Sequence, residues 1–201
     1  MKDKILIVGA YHEMIELCED CGFEIAGIID NDYKDEYYGI KIVGTDKDAA
    51  SLYDEYKNCP VVITPFMPDV RERLYNLYSS IGYKFATLIS PLAHVSRFAT
   101  IGDGTVIQSG VNVAANTTIG RFVKLNTNCN IMHDNTMGDF VTVSPNAVTL
   151  GYVNIADRVF LGANSTILPN LSVGEKATVG AGAVVTKNVP EGATVKGVPA
   201  K

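Results

Sequence analysis

The C-terminal half of the chain repeats every six residues, and this period constrains the fold more than any other feature. At an overall hydrophobic content of 47%, chance would make about eight of the seventeen positions in this register apolar. Sixteen are aliphatic or Met, and Thr149 is the exception. The seventeen positions are Ile89, Val95, Ile101, Ile107, Val113, Ile119, Leu125, Ile131, Met137, Val143, Thr149, Ile155, Leu161, Ile167, Val173, Val179 and Val185.

The third residue after many of these apolar positions is Gly, Asn or Asp, the types that best tolerate the left-handed backbone of a sharp corner. These residues are Gly104, Gly110, Asn116, Asn128, Asp134, Asn146, Asn164, Asn170 and Gly182. Both features together are typical of a parallel β-helix, which has three six-residue faces in each 18-residue coil. A β-sandwich would show a period of two and irregular turns instead.

The first 85 or so residues alternate strand and helix patterns. Buried-strand runs are KILIVGA, FEIAGIID, IKIVG and PVVITPF, and helical spacing occurs in YHEMIELCEDCG, DKDAASLYDEYKN and PDVRERLYNLYSSIG. Such alternation predicts a small parallel sheet covered by helices. We therefore predict an α/β domain over residues 1–86 and a β-helix domain over residues 87–201.

Composition narrows the range of partners and compartments. A net charge of −5 argues against wide contacts with nucleic acid or anionic membranes. The chain has no apolar run long enough to span a bilayer and no signal-peptide pattern, so we expect a cytoplasmic protein. Cys18 and Cys21 form a CxxC inside a helical pattern without a second pair, which disfavours a zinc site. Cys59 and Cys129 lie among apolar residues and are expected to pack as small hydrophobes.

The stretch NIMHDNTMGD carries one of only three histidines, His133, beside Asp134. Residues 18 positions away lie one coil above or below, and for His133 these are Ala115 and Gly151. The imidazole is thus expected between two very small side chains, beside space that a substrate can enter. Both side chains can point outward, because residues at a corner need not alternate as strand residues do. The spacing alone does not decide between a functional pair and a plain surface corner.

Four blocks of the chain resemble the left-handed β-helix sugar acyltransferases of the PglD/NeuD family. They are LNTNCNIMHD, MGDFVTVSPNAVTLGYVNI, FLGANSTILPNLSVGEKATVGAGAVVTKNV and GVPAK. The resemblance covers nearly the whole chain and is most specific in the C-terminal half. It implies a Rossmann-like domain before a left-handed parallel β-helix. It also implies acetyl-CoA-dependent transfer to an activated sugar, and homotrimers whose sites lie between neighbouring β-helices.

The same resemblance implies the catalytic groups. His133 matches the histidine that acts as the base, and Asp134 matches an acidic neighbour that is often Glu in the family. Gly151 matches the glycine assigned to the acetyl carbonyl. The chemistry suits these groups: imidazole, with an ordinary pKa of about 6.5, can accept the proton of an attacking amine, and a backbone N–H can stabilise the thioester oxyanion. Neither a cysteine nucleophile nor a metal is required.

Further contacts are implied with the coenzyme and the acceptor. For acetyl-CoA they are Gly162, Ala163, Gly180, Ala181 and Thr142, the last standing where a family member has a second histidine. For the nucleotide sugar they are Gly9, His12, Asp30, Asn31 and Asn126. Each glycine, as well as Asn126, equally suits a corner or packing role, and Asp30–Asp32 equally suits a solvated turn. The loop GAYHEM is shorter and bulkier than the family's GASGHG, and the chain has no GxGxxG fingerprint.

Three functions remain open from the sequence. The first is N-acetylation of a nucleotide-linked 4-amino-4,6-dideoxy sugar, which would contribute to polysaccharide assembly. The second is O-acetylation of a sialic-acid-type sugar by the same base. The third is a non-catalytic trimeric scaffold. A β-helical carbonic anhydrase needs three converging histidines, whereas the C-terminal half has only His94 and His133.

Overall fold

The structure, a computed structural model, describes residues 3–201. Contacts between Cα atoms divide the chain into two compact units. The first unit comprises the residues up to Phe66 together with Val70–Leu88, and the second comprises Met67–Asp69 together with Ile89–Lys201.

The first unit contains a five-stranded sheet of strand order β3-β4-β2-β1-β5. Its strands are β1 (Lys4–Val8), β2 (Glu24–Ile29), β3 (Glu36–Tyr37), β4 (Ile40–Gly44) and β5 (Val61–Ile63). The pairs β1–β2, β1–β5 and β2–β4 are parallel, as the strand–helix alternation predicted. The antiparallel pair β3–β4 was not predicted, because β3 is a single short Glu-Tyr strand that belongs to no repeat and no apolar run.

Helix α1 (His12–Asp20) connects β1 to β2, α2 (Ala49–Tyr56) connects β4 to β5, and α3 (Pro68–Ile81) follows β5. A 3₁₀ turn over Asp46–Asp48 precedes α2. Gly22 follows the end of α1, with a φ of 87° and an N–H that donates to the Glu19 carbonyl at 2.9 Å. Among residues 3–201, no helix is both long and apolar enough to cross a membrane.

The second unit is a stack of two-residue strands that form three parallel sheets of six, five and seven strands. Each strand typically pairs with the one 18 residues further along, as Asn112 with Asn130 and Asn130 with Val148. The predicted β-helix is therefore confirmed. Its strands are β6 (Leu88–Ile89), β7 (His94–Val95), β8 (Thr100–Ile101), β9 (Val106–Ile107), β10 (Asn112–Val113), β11 (Thr118–Ile119), β12 (Lys124–Leu125), β13 (Asn130–Ile131), β14 (Thr136–Met137), β15 (Thr142–Val143), β16 (Val148–Thr149), β17 (Asn154–Ile155), β18 (Phe160–Leu161), β19 (Thr166–Ile167), β20 (Ser172–Val173), β21 (Thr178–Val179), β22 (Val184–Val185) and β23 (Thr194–Val195).

The apolar positions of the six-residue register fill the interior of this stack. From Ile107 to Val185 they are buried, and all except Thr149 belong to one hydrophobic cluster. Thr149 is also fully buried and keeps its place in the register. Small side chains such as Cys129, Ala147 and Ala177 fill the remaining interior positions. Each coil thereby gives the next a hydrophobic floor as well as hydrogen bonds.

The corners of the coils have the left-handed backbone that the sequence predicted. All nine Gly, Asn and Asp positions named above have φ between 57° and 70°. The same six-residue period continues through five residues with no preference for this conformation, at φ between 53° and 60°: Phe122, Phe140, Tyr152, Arg158 and Lys176. Closure of the coil therefore imposes the conformation on whatever residue stands at the corner.

Candidate active site

His133 and Asp134 form the corner between β13 and β14. Asp134 has a φ of 59°, a conformation that Asp tolerates better than most residues. Both side chains point outward, with 53% of the His133 side chain and 29% of the Asp134 side chain exposed. The imidazole Nδ1 lies 2.8 Å from Oδ2 of Asp134. The shorter Asp side chain thus reaches the ring from this corner.

The surroundings of Asp134 keep it ionised. The hydrogen bond with His133 lowers the pKa of its carboxyl, and the side chain of Asn116, one coil away, lowers it further. Asn116 donates through Nδ2 to Oδ1 of Asp134 at 3.3 Å. Because an ionised carboxylate can only accept, the proton shared with the imidazole belongs to Nδ1. In the neutral ring the lone pair is then on Nε2, which can act as a base.

Gly151 lies against the face of this imidazole. A Cβ placed on Gly151 would stand 2.6 Å from Cε1 and 3.0 Å from Nε2 of His133. On the coil at the other side, the Ala115 carbonyl accepts a hydrogen bond from the Asp134 N–H at 3.1 Å. The stacking of His133 between Ala115 and Gly151, expected from the 18-residue coil, is therefore present.

The backbone N–H of Gly151 lies beside the imidazole without an acceptor among residues 3–201. The equivalent amides of Ala115 and Ala163 likewise have no acceptor among residues 3–201. Where the next coil supplies an Asp side chain the amide is satisfied, since the Arg121 N–H donates to the Asp139 carboxylate at 2.7 Å. A donor that no protein group satisfies can serve a ligand oxygen.

Asn135 holds the His133 and Gly151 corners together from inside the coil. Its side chain is 1% exposed. Its Nδ2 donates to the carbonyl of Met132 at 2.5 Å and to the carbonyl of Leu150 at 3.0 Å. These two carbonyls immediately precede the two corner residues. A buried amide with its hydrogen bonds satisfied makes this part of the stack rigid.

Tyr152 places an aromatic ring beside the imidazole. Its ring centroid is 5.4 Å from that of His133, and the planes cross at 85° in an edge-to-face arrangement. The ring is largely exposed. Neither Tyr152 nor Asn116 was among the residues proposed from the sequence, yet both lie 18 positions from Asp134. The coil period could therefore have found them.

The residues proposed to contact acetyl-CoA lie on several coils. Gly162 and Gly180 stack closely, since a Cβ on Gly162 would stand 2.5 Å from the Ala181 nitrogen. Their N–H groups donate at 2.8 Å to the next coil. Close stacking already explains Gly162, whereas the nearest atom to a Cβ on Gly180 would be the Lys196 Cβ, at 3.1 Å. Ala163 and Ala181 follow them at the corner. Thr142, in contrast, is 1% exposed within its strand.

Three of the five residues proposed for the acceptor meet at one pocket in the first unit. This pocket of about 150 Å³ is lined by Gly9, Asp30 and Asn31, together with Asp46 and Arg73, among others. The pocket lies at the carboxyl ends of the parallel strands, where open α/β sheets commonly bind ligands. Arg73, on α3, adds a positive charge to the lining of this pocket. No sequence motif had indicated this residue.

The other two residues proposed for the acceptor stand elsewhere. His12 begins α1, where its ring lies between those of Tyr11 and Tyr38 at centroid distances of 5.2 and 5.8 Å. Asn126 is on the β-helix, and its Nδ2 donates to the Val143 carbonyl at 2.7 Å. The amide of Asn126 therefore already braces a corner.

Hydrogen bonds within the protein already occupy two of the three carboxylates that line the pocket, those of Asp30 and Asp46. Asp30 accepts from the N–H groups of Ala10, Asp32 and Tyr33 at 2.6, 2.8 and 3.1 Å, and so ties the loop after β1 to the loop after β2. Likewise, Asp46 accepts from the Tyr78 hydroxyl and from the Asn31 amide. Both aspartates therefore shape the pocket.

Within residues 3–201, no group of three or more His, Cys, Asp or Glu side chains is placed to hold a metal ion. The candidate site accordingly consists of an imidazole with a free Nε2, an ionised carboxylate that orients it, and a backbone N–H one coil away. Such a set can accept a proton from a nucleophile and stabilise an oxyanion.

A hexapeptide-repeat β-helix with this site is typical of acyltransferases, and comparison with known proteins agrees. The family described as hexapeptide repeat of succinyl-transferase matches residues 152–187. No curated protein sequence is significantly similar to the chain. Solved structures are similar over nearly its full length. They confirm the resemblance to left-handed β-helix sugar acetyltransferases.

Three of these structures illustrate the likeness. PerB from Caulobacter crescentus, in complex with CoA and GDP-perosamine, is 28% identical at a TM-score of 0.93, covering 98% of this chain and 96% of its own. The acetyltransferase domain of PglB from Neisseria gonorrhoeae is 28% identical at a TM-score of 0.91, covering 98% of each chain. WeeI from Acinetobacter baumannii is 28% identical at a TM-score of 0.88, covering 98% and 99%.

Proposed function

We propose that this protein is an acetyl-CoA-dependent N-acetyltransferase that acts on the amino group of a nucleotide-linked 4-amino-4,6-dideoxy sugar. The observation that carries the proposal is the 2.8 Å hydrogen bond between His133 Nδ1 and Asp134, which leaves Nε2 of an exposed imidazole available beside Gly151. The similarity to PerB, whose structure contains CoA and GDP-perosamine, supports the choice of substrates. The PglB domain, solved with acetyl coenzyme A, supports the acyl donor.

In this mechanism the sugar amine attacks the thioester directly. The nitrogen lone pair forms a bond to the acetyl carbonyl carbon, and Nε2 of His133 takes the proton that the nitrogen loses. Asp134 stabilises the resulting imidazolium through Nδ1–H. The tetrahedral intermediate then collapses, the C–S bond breaks, and the thiolate leaves with the proton from the imidazolium.

The oxyanion of the intermediate requires a donor close to the base. We assign this role to the Gly151 N–H, which has no acceptor in residues 3–201 and belongs to the residue against which the imidazole lies. One oxyanion donor typically contributes about 10²–10³ in rate. Acetyl-CoA would extend from this point toward Gly162, Ala163, Gly180 and Ala181. The burial of Thr142 makes it the least accessible of the proposed coenzyme contacts.

The first unit would bind the nucleotide part of the acceptor as a Rossmann-like domain. Its pocket at the carboxyl ends of the parallel strands supports this role, with Gly9, Asp30 and Asn31 in its lining. The proposal also includes a homotrimer, a contribution to polysaccharide assembly and a cytoplasmic location. These three properties stay predictions.

The test is thiol release from acetyl-CoA with GDP-perosamine, other nucleotide-linked 4-amino sugars and sialic acids as acceptors. Product mass and lability to hydroxylamine separate the bond types, since acetyl esters are cleaved under mild conditions and amides are not. We expect a hydroxylamine-stable product from an amino sugar. A labile product confined to sialic acids would establish O-acetylation instead. An absence of thiol release with every acceptor would favour the scaffold.

A further inference from the structure

Tyr152 occupies a corner position to which its side chain is poorly suited. It has a φ of 60°, and the residues one or more coils away at the same corner are Asn116, Asp134 and Asn170. Asn and Asp enter the left-handed region with little strain, whereas a bulky aromatic residue rarely does. Tyr152 is therefore the strained member of this corner. Strain of this kind is often retained where it serves function.

The contacts of Tyr152 are with the proposed catalytic pair. Its ring meets the imidazole of His133 edge-to-face at 5.4 Å and 85°, and its N–H donates to the His133 carbonyl at 3.2 Å. Its hydroxyl is close enough to Asp134 to help lower the pKa of that carboxyl. The side chain remains exposed, at 59% for the residue. A ring with this much exposure adds little buried surface to the core.

These contacts complete the restraint of the imidazole. Gly151 lies against its face, Asp134 binds Nδ1, and Tyr152 packs beside the ring. Edge-to-face packing is directional, so it favours one orientation of the ring over others. Among residues 3–201 no group hydrogen-bonds Nε2, which therefore remains for a substrate.

We propose that Tyr152 is a positioning residue, whose ring holds the His133 imidazole in the orientation that directs Nε2 at the acceptor. This role rests on the proposed function, in which His133 is the base. It also explains why a strained aromatic residue stands where the neighbouring coils have Asn or Asp. The expected signature is that relieving the strain stabilises the fold and lowers the activity.

The test compares Tyr152→Asn and Tyr152→Phe with the wild type. Tyr152→Asn restores the residue type found at the same corner in adjacent coils. We expect its melting temperature to rise by about 2–4 °C, while kcat/KM falls roughly tenfold or more because the base is no longer held in place. Tyr152→Phe keeps the ring and should stay within about threefold of wild type. A loss in Tyr152→Phe equal to that in Tyr152→Asn would overturn the role of the ring.

Lys176→Asn is the matched control. Lys176 has a φ of 56° at a different corner, so this change relieves a similar strain away from His133. It should raise the melting temperature without changing kcat/KM. A comparable loss of activity in Lys176→Asn would show that relaxing the β-helix, rather than releasing the imidazole, lowers the rate, and would contradict the proposal.

An activity-independent measurement separates this inference from the proposed function. The chain has three histidines, so ¹⁵N imidazole spectra can resolve His133, with His12 and His94 as internal references. Tyr152→Asn should broaden the His133 signals or mix its tautomers and leave the other two unchanged. This result would support the positioning role even if no amino sugar were acetylated. Unchanged His133 signals together with wild-type kcat/KM would overturn it.

Discussion

The imidazole of His133 lies so close to Gly151 that a single added methyl group on the glycine would stand 2.6 Å from Cε1. The two residues are 18 positions apart in the sequence and occupy the same corner of successive coils. Proton acceptor and proposed oxyanion donor are thereby held at a spacing that the β-helix itself determines. The arrangement requires no flexible loop, which is favourable for a preorganised site.

Gly151→Ala tests this proximity. Gly151 does not have a positive φ, so the backbone can accept alanine, and the nearest obstacle is the movable imidazole rather than the main chain. We expect the ring to swing away and kcat to fall by about tenfold to a hundredfold. The melting temperature should change little. Full activity in a folded Gly151→Ala protein would contradict the proposed geometry.

Asp134→Asn tests the ionised carboxylate, since Asn suits the same left-handed corner. The pKa of Asp134 is lowered, chiefly by the hydrogen bond with His133. Such a carboxyl stabilises the fold at a pH above its pKa in the unfolded chain, about 3.9. This stabilisation is lost as the pH falls through the lower pKa of the folded state. We therefore expect the variant to melt below wild type near pH 5. The difference should narrow as the pH falls below the unfolded pKa, and a gap that widens on acidification would refute the assignment.

Asn135→Val tests the buried amide behind the site. In the wild type, the Asn135 side chain donates to the Leu150 carbonyl and accepts from the Val153 N–H. Valine can form neither hydrogen bond. Such losses cost about 1–3 kcal/mol per group, so a clear drop in the denaturation midpoint is expected.

The matched control for this change is Asn135→Thr. Thr105 shows that threonine at the equivalent hexapeptide position can make the same two bonds, since it donates to the Gly120 carbonyl and accepts from the Val123 N–H. Asn135→Thr should therefore stay close to wild-type stability. Equal losses in both variants would mean that the hydrogen bonds are not what matters.

Arg73→Ala tests nucleotide binding by the first unit. Arg73 is the basic residue in the lining of the pocket, where internal hydrogen bonds already occupy the carboxylates of Asp30 and Asp46. It is thus the group there best suited to a phosphate, and its loss should weaken nucleoside diphosphate binding by roughly tenfold in calorimetry. Lys57→Ala, which removes one positive charge from the same unit outside this pocket, should bind normally. Undiminished affinity in Arg73→Ala would place the phosphates elsewhere.

Most of the β-helix could be predicted from the sequence, because each position in a coil restricts which residue types can occupy it. An interior position must be apolar, so the register from Ile107 to Val185 is visible in the residue types alone. Corners were predicted where Gly, Asn or Asp indicates a left-handed backbone. They were missed at Phe122 and Tyr152, because coil closure fixes φ there against the preference of the residue.

The candidate site was only partly predictable. The 18-residue period correctly predicted that His133 lies next to Gly151. Applied to Asp134, the same period would have identified Asn116 and Tyr152 as its neighbours. The internal bonds of Asp30 depend on how two loops of the first unit meet, and Arg73 reaches the pocket through the placement of α3. Neither relationship leaves a trace in local residue spacing.

The most direct test of the account compares thiol release by wild type, His133→Ala and His94→Ala with acetyl-CoA and the preferred amino sugar. His94 is also an exposed β-helix histidine, with Nδ1 3.1 Å from Oδ1 of Asn112, and serves as the matched control. We predict that kcat falls by about 10²–10⁴ in His133→Ala, as expected for loss of a general base. The His94→Ala enzyme should remain close to wild type. A His133→Ala enzyme that keeps nearly full activity would contradict the central claim.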